Sequence, residues 1–315
     1  MISFIAKRIG VGLGLVFVVL TLIFLAIHAV PGDPAAVLAS GGASGTATPE
    51  SIERLREQLG LDKPLAVQYL DYLAGVVTGD LGSSFRDSRP VVTTILERLP
   101  NTIELVVLAC VVGAVVGVVL GAAAGRFGGW VDSLVTAFSS LAISVPVYVL
   151  GTVFILIFSL TLGWFPAGGF VSWQTDPVGH LRLLLLPALT LSIAFIGVTA
   201  RMTRSSVVET SRMDWVRTAR SWGLTPSRVF SRHVLRNSMT PVATAIGLEV
   251  GIMLGSTVLA ERVFNYPGLS ALLVDSVVNR DYPVVQGIVI VISVLFIAIN
   301  IAVDLVYRFL DPRVR

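Results

Sequence analysis

The chain has 315 residues, 54% of them hydrophobic and 14% charged, with a formal net charge of +3. A soluble domain carries about 25% charged residues, so a soluble fold of this length could not hide the surplus apolar surface: the chain reads as an integral membrane protein. One cysteine, Cys110, excludes a disulfide framework and Cys-based zinc or iron–sulfur sites, and His28, His180 and His233 show no metal-ligand spacing.

Six apolar stretches reach the roughly 20 residues that a bilayer core takes: 9–30, 102–124, 133–162, 183–203, 241–259 and 284–306. The first is too long for the apolar core of a cleaved leader, and Val30-Pro31-Gly32-Asp33 offers no small-x-small cleavage site. The third is over-long and holds Pro146, which predicts a tilt or kink; Pro187 sits similarly in the fourth. Six spans place both termini on one side. That side collects Lys7, Arg8, Arg126, the eight arginines from Arg201 to Arg236, Arg308, Arg313 and Arg315, which the positive-inside rule makes cytoplasmic.

Between the first and second spans lies an external region, 31–100, with nine acidic against six basic residues. Its glycine-rich stretch 41–46 reads as a loop. Thr48-Pro49 opens a short helix with Ile52, Leu55 and Leu59 on one face, and Gly60 ends it. A second helix follows Pro64 and is expected to bury Leu70, Leu73 and Val77; Gly79-Asp80-Leu81-Gly82 is a turn. Residues 90–99 read as an amphipathic helix lying on the bilayer surface. The region suits a small helical cap, a docking surface for an external partner, or both.

In the second span Gly113, Gly117, Gly121 and Gly125 recur every four residues, as Gly247, Gly251 and Gly255 do in the fifth. Small residues at this spacing let helix backbones approach closely in lipid, either within one subunit or against a second one. Asn101 and Glu104 have the spacing of a capping box. The loop region 201–240 sets eight arginines against Glu209 and Asp214. A helix over 212–222 stops at Gly223, and Thr225-Pro226 starts the next. Membrane anchors on both sides argue against a DNA-reading helix-turn-helix. A basic loop touching lipid phosphates accounts for the charge, and a short helix held under the membrane suits mechanical contact with a cytoplasmic partner. Glu249 sits mid-span, about 200° round the helix from Gly247. A charge there costs about 2.5–3.5 kcal/mol, so the residue is a candidate for pore lining, for a hydrogen bond within a dimer, or for proton coupling.

These motifs, in this order about the spans, resemble one family. They are Pro31-Gly32-Asp33-Pro34, Gly79-Asp80-Leu81-Gly82-Ser83-Ser84-Phe85, Arg98-Leu99-Pro100-Asn101-Thr102 with Glu104, Ser144-Val145-Pro146-Val147 and Gly163-Trp164-Phe165-Pro166. Asp214-Trp215-Val216-Arg217-Thr218-Ala219-Arg220 runs into Gly223-Leu224 and Arg232-His233-Val234-Leu235-Arg236-Asn237. Tyr266-Pro267-Gly268-Leu269 and Asn279-Arg280-Asp281-Tyr282-Pro283-Val284-Val285-Gln286-Gly287 close the set. The whole chain resembles the permease subunits of ABC importers of the dipeptide/oligopeptide/nickel type, specifically the first of the two paired permeases. The segment around Ala219, Gly223 and Leu235 is similar to the EAA loop of importer permeases, with Arg217-Thr218 in place of Glu-Ala and Arg236 in place of Pro.

The resemblance implies an all-α polytopic membrane protein with six transmembrane helices of the type I importer permease kind and a small helical external region. It would divide into a first helix (1–30), the external region (31–100) and a permease core (101–311) that includes the coupling region 201–240. It also implies that Asp214, Arg217, Ala219, Arg220 and Gly223 belong to a contact with an ATPase subunit. Implied partners are a second homologous permease, two ATP-binding subunits, an extracytoplasmic substrate-binding protein and the bilayer of the bacterial inner membrane, with no nucleic acid. Short peptides are the implied substrate, with nickel or another small solute as the alternative. The chain has two lysines, Lys7 and Lys63, and no Gly-x-x-x-x-Gly-Lys-[Ser/Thr]. No enzyme activity and no cofactor are therefore expected on it, and ATP with magnesium would belong to the partner subunits. Gly42-Ala43-Ser44-Gly45 is similar to a rhomboid-type nucleophile motif, but it lies in the external loop. An ion-coupled secondary transporter would call for an inverted repeat and broken mid-span helices, and the sequence shows neither.

Overall fold

The computed structural model describes residues 2–29, 35–36, 48–58 and 60–310. The Pro31-Gly32-Asp33-Pro34 motif, the glycine-rich stretch 41–46, Leu59, Arg313 and Arg315 lie outside them. The described residues are helical, with one isolated β-bridge between Ser83 and Pro90. In chain order the helices are α1 (Ile2–Ala29), α2 (Pro49–Gln58), α3 (Leu65–Thr78), α4 (Val91–Phe127), α5 (Gly129–Ser144) and α6 (Val147–Phe154) with a π-helical extension (Ile155–Thr161). They continue with α7 (Pro177–Ser211), α8 (Asp214–Ser221), α9 (Pro226–Val229), α10 (Leu235–Val263), α11 (Leu269–Val278) and α12 (Tyr282–Leu310). A π-helical turn, Phe230–Val234, joins α9 to α10 without a break.

Five helices, counting α9 and α10 as one, are long and apolar enough to cross a bilayer, and α5 with α6 makes a sixth, bent by 106°. The chain is thus an all-α, multi-pass membrane protein. The corner has a local cause: a proline disfavours helical backbone at the residue before it, and Val145 adopts φ −85°, ψ 124° ahead of Pro146. The kink expected in an over-long span is a full break into two short arms.

Two sequence expectations change. Residues 90–99 form no separate surface helix; they are the first turns of the 37-residue α4, which carries Pro100 inside it. Their apolar stripe is occupied elsewhere: Val91 and Ile95 are buried against Leu269, Val284 and Ile288. In α3, Leu70 and Val77 are 64% and 87% exposed rather than buried. Aromatic packing sets that helix's rotation, because Tyr69 and Tyr72 lie against Phe24 of α1 with ring centroids 5.1 and 5.9 Å away. The Thr21 hydroxyl also lies 2.6 Å from the Tyr69 hydroxyl.

The chain divides into two compact units, Met1–Pro100 with Gly268–Ile297 and Asn101–Pro267 with Ala298–Arg315. Within the first, two motifs distant in sequence meet at the buried Asp281. Its carboxylate accepts from the Ser84 hydroxyl at 2.6 Å and from the Phe85 N–H at 3.0 Å. Ser84 Oγ in turn accepts from the backbone N–H groups of Arg86 and Asp87. The turn residue Arg280 takes a left-handed φ of 55° to present Asp281 there.

Within the second unit α7 is the central helix, with buried positions recurring from His180 to Thr210. It packs on the glycine ridge of α4. A Cβ at Gly117 would stand 2.6 Å from Thr199 Cβ, and one at Gly125 2.7 Å from a Val207 methyl. At Gly113 it would enter the Phe195 ring, and at Gly121 the Ala200 carbonyl. The partner of this ridge is therefore a helix of the same chain. In α10, Gly247 is buried, while Gly255 has open space where its Cβ would be.

Candidate functional site

The helix predicted before Gly223 exists as α8, eight residues joined to α7 by Arg212 and Met213. Its sequence is charged on one side and apolar on the other. Val216 is buried with Val207, Val229 and Val234, and Ala219, Leu224, Phe230 and Leu235 pack around them. Asp214, Arg217, Arg220 and Gly223 are exposed. Of the five residues singled out in this segment, Ala219 alone faces inward, against the apolar cluster. The helix ends as its sequence requires: Gly223 has φ +81° and its N–H donates to the Arg220 carbonyl at 3.0 Å. A left-handed backbone is what a glycine adopts without strain.

Beyond that turn, Pro226 opens α9, and the Thr225 side chain makes no cap hydrogen bond. The turn is fixed from the side by Arg126 at the end of α4. Its guanidinium lies 4.8 Å from the centre of the Phe230 ring and reaches Ser227 Oγ at 3.4 Å. Ser206 of α7 donates to the Ser238 carbonyl of α10 at 2.9 Å. Arg204 grips Asp132 of α5 with two hydrogen bonds of 2.7 and 2.6 Å. The α8 segment is therefore held at both ends by packed, hydrogen-bonded helices.

Sequence reasoning did not single out three exposed apolar residues here. Trp222 is 79% exposed at the tip, and Met213 and Trp215 stand exposed at the other end, with the indole N–H of Trp215 on Met213 sulfur at 3.2 Å. Two tryptophans flanking a run of arginines were the available signal.

Glu249 is half-buried on α10 and makes no hydrogen bond or ion pair among the described residues. Glu104 behaves differently. It caps nothing, because α4 begins at Val91, well before Asn101, whose amide donates to the Pro267 carbonyl at 2.8 Å. The Glu104 carboxylate instead accepts from the Trp173 indole at 2.9 Å and from the Tyr266 hydroxyl. His180 Nε2 lies 3.2 Å from it, outside hydrogen-bonding alignment. The Val171 carbonyl, 2.7 Å from Nδ1, can only accept, so Nδ1 carries a proton. Burial first, and then the Glu104 carboxylate, hold the Tyr266 phenol above its ordinary range. Nearby, Glu261 on α10 accepts from Thr102 at 2.8 Å. This network ties α4, α7 and the segment after α10 together at one end of the second unit. Among the described residues no group of three or more His, Cys, Asp or Glu side chains could hold a metal ion.

Comparison with known proteins places this architecture. Residues 117–315 match the family model described as binding-protein-dependent transport system inner membrane component, and residues 1–106 match the model for its N-terminal part. A Brucella abortus (strain 2308) protein named for a peptide transport system permease is 42% identical over 316 residues, covering 100% of this chain and 99% of that one. The glutathione transport system permease protein of Escherichia coli (strain K12) is 40% identical over 322 residues, with the same coverage. Among solved structures, an inward-facing methionine ABC transporter covers 70% of this chain and 97% of its own, with a TM-score of 0.57 at 16% identity. An amino acid ABC transporter matches with a TM-score of 0.52, also at 16% identity, over 69% of this chain and 94% of its own. This chain belongs to the family of binding-protein-dependent transport system inner membrane components.

Proposed function

We propose that the chain is one of two paired permeases of an ATP-driven importer for short peptides, set in the bacterial cytoplasmic membrane with both termini in the cytoplasm. An external binding protein delivers the peptide, and two ATP-binding subunits, which hold ATP and magnesium, drive the cycle. The names of its relatives support the substrate class, and the clustering of arginine beside span ends supports the orientation.

The observation that carries the mechanism is the mounting of α8. A short helix with exposed Asp214, Arg217, Arg220 and Trp222 is fixed between α7 and the α9–α10 rod. An ATPase groove that grips α8 moves both long helices at once, which suits a rigid-body switch between inward and outward openings. The α10 helix, with Glu249 and the open position at Gly255, would line the pathway or meet the paired permease.

The test is substitution at Gly223. Because nothing lies within 4 Å of a Cβ there, bulk is not the obstacle; backbone conformation is. Gly223→Pro removes the N–H bonded to Arg220 and forces φ to about −65°, whereas Gly223→Asn tolerates the left-handed turn. In reconstituted transporter, the proline variant is expected to insert normally yet lose substrate-stimulated ATP hydrolysis, and the asparagine variant to keep most of it. Full stimulation in the proline variant would remove α8 from the coupling path.

A further inference from the structure

Among the apolar stretches of the sequence, 241–259 carries Glu249 at its middle, whereas His28, Glu104, Arg201 and Asp304 stand near the ends of theirs. No counter-charge meets it among the described residues, and no lysine or arginine stands in the middle of an apolar stretch of the sequence. Beside it, α10 shows an uncovered face. Leu248 and Ile252 are 63% and 61% exposed, and Gly255 opens onto empty space. On the same side of the helix as Glu249, Ala245 and Ser256 are small, and the Ser256 hydroxyl is turned back onto the Ile252 carbonyl. A charge at this depth is stable only against water or an opposite charge.

Resting on the reading of α10 as a wall of the pathway, we propose that Glu249 selects cargo by charge. Its carboxylate receives a cationic group of the passing peptide, an N-terminal ammonium or a lysyl or arginyl side chain, and disfavours peptides rich in carboxylates. Every peptide carries one ammonium, so the residue passes neutral peptides and ranks them between cationic and anionic ones. A permanent basic partner on the paired permease is the competing occupant, and the test below separates the two.

The assembled transporter is reconstituted with its binding protein, and uptake of Ala-Lys-Ala, trialanine and Ala-Glu-Ala is measured at saturating loaded binding protein, which takes selection by that protein out of the comparison. The Ala-Lys-Ala to Ala-Glu-Ala rate ratio is expected to fall about tenfold in E249Q and to be kept in E249D. An unchanged ratio in E249Q overturns the proposal. So does loss of the assembled complex in E249Q, which would make the carboxylate a contact between subunits. A second measurement protects the pathway reading: Cys110 is the lone cysteine of this chain, so E249C in a C110S background gives this subunit a single thiol, and its labelling by a membrane-impermeant methanethiosulfonate reagent during turnover is read on this subunit alone after separation. Labelling with an unchanged E249Q ratio leaves the pathway reading standing and ends charge selection. No labelling, with the ratio unchanged, ends both.

Discussion

Glu104 shows how a single side chain can be mistaken when only its neighbours in sequence are visible. Asn101 and Glu104 are three residues apart, which suits a helix start, yet the helix runs on from Val91 and Pro100 does not break it. The donors that matter, Trp173 and Tyr266, are 69 and 162 residues away, so no local spacing could reveal them. Hydrogen bonds to a charged group are worth about 1.5–3 kcal/mol. Glu104→Gln keeps the shape and one acceptor oxygen but gives up the charge. The variant is expected to lower stability by about 1.5–3 kcal/mol, read as an earlier thermal unfolding midpoint in detergent, with Trp173 fluorescence changing as its indole loses the carboxylate. An unaltered midpoint would mean the cluster is ornamental to folding.

Among the helices, the legible features were those set by composition. Hydropathy gave the long apolar segments, Pro146 marked the break between α5 and α6, and Gly223 marked the end of α8, because each of these acts on its own backbone. Orientation was less legible. In α3 the leucine and valine periodicity points to one core stripe, but Leu70 and Val77 are exposed and Tyr69 and Tyr72 do the packing. The glycine ridge of α4 was visible as a pattern, but its neighbour was not, since Gly-x-x-x-Gly spacing says that something comes close and not what. The structure puts α7 there, with the Ala200 carbonyl against Gly121. A backbone atom cannot rotate aside, so Gly121→Val is expected to cost at least about 1–3 kcal/mol and to reduce the yield of folded protein. Gly255→Ala, at an open position, is expected to leave the thermal midpoint of the isolated chain where it was. Equal losses in the two variants would contradict the α4–α7 contact.

At the scale of the whole molecule, membrane residence and family were readable from end to end, whereas the meeting of distant motifs was not. The segment from Gly79 to Phe85 and the segment from Asn279 to Gly287 gave no sign in sequence that one carboxylate joins them. In the first unit, Asp281 does so through Ser84 and Phe85, almost wholly out of solvent. Asp281→Asn weakens the acceptor at the Phe85 N–H and the Ser84 hydroxyl together. The variant is expected to lose about 1–3 kcal/mol and to expose the 82–90 loop to limited proteolysis, with cleavage there faster than in the parent protein. Unchanged cleavage would show that the loop is held by other contacts.

The way α8 is mounted has a further consequence. Two residues separate it from α7, and the chain after Pro226 runs through a π-helical turn into α10 with no joint between. On the α9 side the only non-helical residues are the four of the turn, Trp222 to Thr225. On the proposed coupling role of α8, a push at Trp222 would therefore reach both long rods over only a few residues, like the two cheeks of one crank.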